Sequence, residues 1–335
     1  MGFTVDFYAE EKKNVRKTFL LVFFFMLMMA VFGLIIDIVF GFFPWFTVIL
    51  LLVALIQVLV SLKRGKNVVL RALQARPLKE DNFEEKQLKN IVDELAIAAG
   101  MSVPPEVYVI DNDQVLNAFA TGSKRDNSVI CVTSGLLNRL DREEASGVIA
   151  HELSHIINRD ILLMTVISSL LGAIILLKIF ALHALFSYLR FGAFRAVTRR
   201  RTSRQGDKSA ILIIGFLAAV AALGFLFSFI GRLTLLAVSR TREYFADSRA
   251  VELTRNPAGL SGALRKIWKE SEKMKTASVA TAHLFVSDPL KRKVNDRVSF
   301  FANLFSTHPP VCSRIAVLEN RPEEDVRVEL YSTNG

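Results

Sequence analysis

The sequence predicts a mainly α-helical protein with a small β-sheet (α+β), integral to a membrane, in which four apolar helices carry a domain of mixed polarity. Three observations predict it. Hydrophobic residues make up 52% of the 335 positions and the mean hydropathy is +0.36, more apolar sequence than the core of a soluble chain this long requires. The excess is gathered into four nearly charge-free runs, each long enough at about 1.5 Å per residue to approach the roughly 30 Å hydrocarbon core. Between and after the runs lie segments of ordinary polarity with helical and strand-like patterning.

The first run, Thr18 to Ile36, stops at Asp37. Turn-prone residues from Gly41 to Pro44 then lead into the second run, Trp45 to Leu62, and the pair reads as a helical hairpin. A second run follows at once and no small-residue cleavage site follows the first, which favours an uncleaved anchor over a signal peptide. Lys12, Lys13, Arg16 and Lys17 precede the hairpin and Lys63, Arg64, Lys66 and Arg71 follow it, whereas its short outer loop has no basic residue. Both ends of the hairpin are therefore expected in the cytoplasm.

The next stretch, Lys63 to Asp160, has polar helical character from Glu84 to Ala99, ended by Gly100, then strand-like runs at Glu106 to Ile110 and Ser128 to Thr133. Asp141 reads as a helix N-cap, with Glu144 completing a capping box. The third apolar run, Ile161 to Leu189, contains Lys178 and His183, and the fourth, Ala210 to Ile230, contains no charge. The loop between them sets Arg190, Arg195, Arg199, Arg200, Arg201, Arg204 and Lys208 against Asp207. That is the wrong sign for an external loop, so either the upstream hairpin overrides the local bias or the pair does not fully cross. The expected divisions are 1–62, tail and hairpin; 63–160, the first part of a catalytic domain; 161–230, a second hairpin with a basic loop; and 231–335, the second part of that domain.

Several function classes are excluded by composition and motif. The formal charge of +10 accompanies no nucleic-acid module and fits the basic flanks of membrane spans. No Walker-type glycine loop appears, so no nucleotide partner is expected. Cys131 and Cys312 lie far apart without C-x-x-C spacing, which gives neither a disulfide framework nor a thiolate metal site.

His151-Glu152-Leu153-Ser154-His155 fits H-E-x-x-H. Four-residue spacing puts both imidazoles on one helical face, where they can share a zinc ion, and Glu152 can reach a metal-activated water as general base. Such a site attacks carbonyl compounds such as peptides at neutral pH. A third protein ligand is required. The extended form of the motif needs Gly and His where Asn158 and Ile161 stand. His183 lies in an apolar run, where a lone histidine is more often a helix-contact residue. Glu243 and Asp247 offer a further candidate: the first could bind the metal while the second, one turn on, accepts the outer N–H of a liganding histidine. A solvated acidic face beside Arg240, Arg242 and Arg249 is the competing reading. His155 and Glu243 lie at similar short distances from the third run and from the apolar stretch ending at Val238, which sets the metal near the cytoplasmic membrane surface. His283 has no metal-like spacing and reads as structural.

Taken together, Asn117-Ala118-Phe119-Ala120-Thr121-Gly122, the segment His151 to His155 with Asn158 and Asp160, the segment Ser239 to Asp247, and Thr307-His308-Pro309-Pro310 with Arg314 resemble the HtpX-type membrane zinc metalloproteases, a group related to the CAAX prenyl proteases. The resemblance implies a zincin-like catalytic domain facing the cytoplasm, one Zn2+ per chain, Glu243 as third ligand with Asp247 as its partner, and a role in membrane-protein quality control. It further implies that Asn117 to Gly122 form an edge strand beside the cleft on which an unfolded or membrane-protein substrate adds as an extra strand, with Asn117, Ala118, Phe119 and Ala120 as the substrate-binding residues. His308 would stabilise the oxyanion and Arg314 would orient an acidic group. A prenyl-protein protease, an inactive membrane scaffold and a transporter are the alternative readings. The first normally has more spans, the second normally lacks a ligand or base, and the third needs paired charges deep in several spans.

Overall fold

The computed structural model describes residues 7–41, 43–79, 81–167, 241–277, 281, 284–287 and 309–332, with scattered positions between 170 and 225. The hairpin is formed by α1 (Phe7–Phe40) and α2 (Trp45–Ala72). Asp37 ends the apolar run but lies within α1, which continues to Phe40, just before the turn expected from Gly41 to Pro44. Its buried carboxylate accepts the Phe46 N–H at 2.9 Å, the Thr47 N–H at 3.0 Å and the Thr47 hydroxyl at 2.7 Å. These are donors that the first turn of α2 cannot satisfy internally, so Asp37 caps the partner helix rather than closing its own. Gly33 backs directly onto Thr47: a Cβ there would lie 2.4 Å from Thr47 Cα, so only glycine allows the close crossing.

Phe19, Phe23 and Phe24 of α1, with Ile49, Leu52, Val53 and Ile56 of α2, are exposed. Apolar faces of this extent are what a lipid-facing hairpin presents. Among the described residues Trp45–Ala72 is the helix long and apolar enough to cross a membrane. The third apolar run is described continuously only to Ile167, and almost all of the fourth lies outside the described residues, as do most of the basic loop and His283. The end of α2 enters the folded domain, where Val69, Leu70 and Leu73 pack with Ile110, Val115, Phe119 and Val129.

The sheet consists of β1 (Arg76–Pro77), β2 (Glu106–Ile110), β3 (Ala118–Lys124) and β4 (Asn127–Thr133), in the order β1-β2-β4-β3. It is mixed: β2 runs parallel to β4, and both outer strands run antiparallel to their neighbours. The connection from β2 to β4 passes through β3, which lies at the sheet's edge. That is the edge expected for Asn117 to Gly122, with Asn117 itself just ahead of the strand. α3 (Phe83–Ala98) starts on an Asn82 cap that accepts the Glu85 N–H at 2.9 Å. It covers one face of the sheet through Leu88, Ile91 and Val92.

α4 (Ser134–Arg139) leads into α5 (Arg142–Ile157), which carries the H-E-x-x-H residues. The expected capping box is present: Asp141 accepts the Glu144 N–H at 2.9 Å and Glu144 accepts the Asp141 N–H at 3.0 Å. α5 is central, between the sheet on one side and α6 (Thr241–Thr254) and α7 (Pro257–Glu270) on the other. Gly147 permits the approach of α7, since a Cβ there would lie 2.7 Å from Leu260 N. α8 (Val311–Glu319) and α9 (Glu323–Ser332) close the domain, joined to α7 by Arg265, which contacts both Glu319 and Glu329. Segments 63–160 and 241–332 thus share one core.

Candidate active site

α5 and α6 pack side by side, and their facing side chains meet in one buried cluster. The Nε2 atoms of His151 and His155 lie 3.3 Å apart. The Glu243 carboxylate from α6 stands 3.7 Å from the first and 3.8 Å from the second. The three residues form a group able to hold a metal ion. Zinc bonds of about 2.0–2.1 Å in a tetrahedron separate ligand atoms by about 3.3–3.4 Å, close to the spacing observed. His183 takes no part in this group: it is exposed and its Nδ1 lies 3.1 Å from the Ile179 carbonyl of its own segment.

The far side of each imidazole shows why the near side suits a cation. His151 Nδ1 lies 2.8 Å from Asp247 Oδ1, and His155 Nδ1 lies 3.0 Å from Asp160 Oδ2. A carboxylate at Nδ1 holds the ring N–H there, so the lone pair of a neutral imidazole turns inward at Nε2. Two inward lone pairs and a carboxylate converging within 3.3 to 3.8 Å of one another are mutually repulsive unless a positive charge stands among them. The electrostatics agree. Burial and the Arg314 charge oppose a proton on His151, yet Asp247 and Glu243 outweigh them and hold its pKa up at about 9. Burial raises Asp247, but the Arg314 charge and the bonds from His151 and Arg314 bring it down to about 2. The pocket therefore favours positive charge at the His151 imidazole and a firm negative charge on Asp247 behind it.

Each supporting carboxylate has its own arginine. Arg314 of α8, fully buried, holds Asp247 through Nε at 2.9 Å and Nη2 at 2.7 Å. Its Nη1 donates to the Val286 carbonyl at 3.0 Å. Arg242, next to Glu243, lies 3.7 Å from Asp160. Asp247 and Arg314, both singled out from the sequence, lie beside the cluster, whereas the sequence reading gives Asp160 and Arg242 no role there. Asp160 reaches back to His155 because Arg159, at φ 56°, takes the left-handed conformation that ends α5 and reverses the chain. Glycine is usual at such a position, so the reversal carries no sequence signal.

Glu152 is buried, and its Oε2 has no hydrogen-bond partner among the described residues. Burial pushes its carboxyl up, with His151 and His155 pulling it down and Glu243 pushing it up again. A carboxylate raised in this way and left with an open oxygen beside the imidazoles can take a proton from water. The cavity at this point is about 20 Å³ and is lined by Ala120, His151, Glu152, His155, Glu243 and Phe285, among others. That is space for about one water.

Asn117, Ala118, Phe119 and Ala120 are all buried, and of the four Ala120 lines the cavity at the cluster. The edge of β3 is not free: the Ala118 carbonyl accepts the Val286 N–H at 3.0 Å, and the Gly122 N–H is taken by the Thr165 hydroxyl at 3.1 Å. His308 lies outside the described residues.

Comparison with known proteins gives the family. The chain is 37% identical over 320 residues to the Protease HtpX homolog of Thermoanaerobacter pseudethanolicus, covering 93% of this chain and 97% of that protein. It is 40% identical over 273 residues to the Protease HtpX homolog of Levilactobacillus brevis, covering 82% and 85%. These relatives bear out the HtpX-type resemblance. A solved structure, that of S. mikatae Ste24p, aligns with a TM-score of 0.47 at 20% identity, over 93% of this chain and 67% of that one. The model of Peptidase family M48 matches residues 82–322, a span that takes in α3 through α8 and with them every residue of the buried cluster, and the chain is therefore a protease of peptidase family M48.

Proposed function

We propose that this protease is a zinc-dependent endopeptidase of the cell membrane, multi-pass, with its catalytic domain facing the cytoplasm, where it cleaves membrane or misfolded proteins in membrane-protein quality control. The observation that carries the reading is the convergence of two imidazole lone pairs and the Glu243 carboxylate beside the unpartnered oxygen of Glu152. His151, His155 and Glu243 are the ligands of one Zn2+ in this reading. When bound there, zinc would acidify a water and polarise the scissile carbonyl.

The remaining steps fall to the chain's own groups. Glu152 accepts the proton of the attacking water on its open oxygen and returns it to the leaving amine, a task suited to a carboxyl raised by burial. Asp247 and Asp160 hold the Nδ1–H tautomers of His151 and His155, and Arg314 and Arg242 hold the two carboxylates. Asn117 to Ala120 receive the substrate as an extended strand, and His308 serves the oxyanion. Domain boundaries at 62, 160 and 230 remain part of this reading, as does the absence of a nucleotide or nucleic-acid partner.

The test is cleavage of casein by purified detergent-solubilised protein, with zinc restored after chelation, beside Glu152→Gln and Glu243→Ala. Zinc-dependent cleavage lost in both variants is the expected result. Tight zinc binding without cleavage in the wild type would favour the inactive scaffold. Cleavage confined to prenylated peptides would favour the prenyl-protein protease, and full zinc affinity in Glu243→Ala would remove Glu243 from the ligand set.

A further inference from the structure

The edge of β3 already has a strand-like occupant from the same chain. Phe119 and Phe285 form an antiparallel bridge, and the Val286 N–H donates to the Ala118 carbonyl at 3.0 Å. One residue on, the Asn117 side chain acts as a surrogate peptide group: its Nδ2 donates to the Ser287 carbonyl at 2.9 Å and its Oδ1 accepts the Ser287 N–H at 3.3 Å. Arg314 Nη1 takes the Val286 carbonyl at 3.0 Å. The ring of Phe285 meets that of Phe119 edge-on, with centroids 4.9 Å apart. Leu284, Phe285 and Val286 line the same cavity as His151, Glu152 and His155.

We propose that residues 284–287 are an autoinhibitory strap lying where the substrate strand binds, so that a substrate enters by strand exchange. This rests on the reading of Asn117 to Ala120 as the substrate's edge. Among the described residues, the strap's polar contacts to β3, Asn117 and Arg314 all use its main chain, the N–H and C=O of Val286 and of Ser287, while the Leu284 N–H donates to the Thr281 carbonyl of its own segment. Any extended peptide offers the same groups at the same spacing, so a substrate can replace each bond as the strap gives it up. The side chains of Leu284, Phe285 and Val286 add apolar packing, being buried against the core and the cavity. The cavity beside it, about 20 Å³, holds a water and not a peptide. With the strap in place the site is therefore closed to substrate. A strap open in about one molecule in ten lowers apparent substrate affinity about tenfold. It also favours unfolded segments, whose main-chain groups are not already committed to a helix or sheet.

The experiment follows amide hydrogen exchange in full-length, zinc-loaded Glu152→Gln protein, which binds without cleaving, with and without excess casein; binding itself is read by fluorescence anisotropy. The expected result is that peptides spanning 284–287 exchange faster once casein is bound. Casein binding with unchanged or increased protection at 284–287 overturns the strap while leaving the substrate edge intact. Failure of casein to bind sinks the substrate-edge reading, and the strap with it. In an otherwise wild-type chain, Phe285→Leu keeps the strap's main chain and loses the ring stack. Its kcat/KM on casein should rise about twofold to tenfold, and an unchanged or lower value overturns the proposal.

Discussion

Arg314→Met tests the electrostatic frame of the site. Arg314 is 1% exposed and is placed by two bonds to Asp247 and one to the Val286 carbonyl. Methionine keeps most of the aliphatic stem, so little packing is lost. What is lost is the charge opposite a buried carboxylate that lies at about 2 in its presence. Removing one partner of a buried pair costs about 3–5 kcal/mol, because the other is left desolvated. At about 2–4 °C per kcal/mol for a chain of this class, the melting temperature should fall by about 6–20 °C. The assay is thermal unfolding in detergent after chelation, so that metal affinity does not enter. Asp247→Asn combined with Arg314→Met removes the stranded charge and should recover part of the loss, a coupling a double-mutant cycle reads directly. A fall of less than about 2 °C, or a double variant no more stable than Arg314→Met, would refute the reasoning.

Further outcomes follow from the same geometry. Asp160→Asn should weaken zinc binding about 10–100-fold in a chelator competition, with an unchanged fold by circular dichroism; unaltered affinity would leave Asp160 without a role at His155. Glu152→Gln should lower casein cleavage at least about 100-fold while still binding one zinc per chain by metal analysis. Gly147→Ala, whose new Cβ would meet Leu260 N at 2.7 Å, should force α5 and α7 apart and cost about 1–3 kcal/mol, partly offset by alanine's better helix propensity. Glu319, bonded to Arg265, sits at about 2, below its unfolded value of about 4.3. A depressed carboxylate stabilises above its unfolded pKa and stops doing so as pH falls through the folded one. Wild type should therefore exceed Glu319→Gln by about 1 kcal/mol near pH 6, a difference that shrinks below about pH 4 and is gone near pH 2. Denaturation midpoints across that range measure it.

The parts legible in the sequence are those set by short-range periodicity. Four-residue spacing on a helix brings His151 and His155 to one face, Asp141 with Glu144 marks where that helix begins, and two apolar runs around a turn give the hairpin. Asp37 shows the limit of the local view: a charge ending an apolar run looks like a helix stop, whereas across the hairpin it satisfies the open donors of α2. Asp160 shows another. Five residues beyond His155, it could not face that imidazole on a continuous helix, and only the left-handed turn at Arg159 brings it there.

By itself the sequence determined the H-E-x-x-H motif, the helix that presents it and the apolar hairpin, because each depends on bonds and side chains within a few turns of one helix or one hairpin. Only the tertiary structure decided which acid faces the two imidazoles, which arginine backs each supporting carboxylate, and that residues 284–287 lie on the edge of β3. Those contacts join segments far apart in the chain, Asn117 and Ser287 being 170 residues distant, and their free energy comes from burial and charge pairing that exist only once the core has closed.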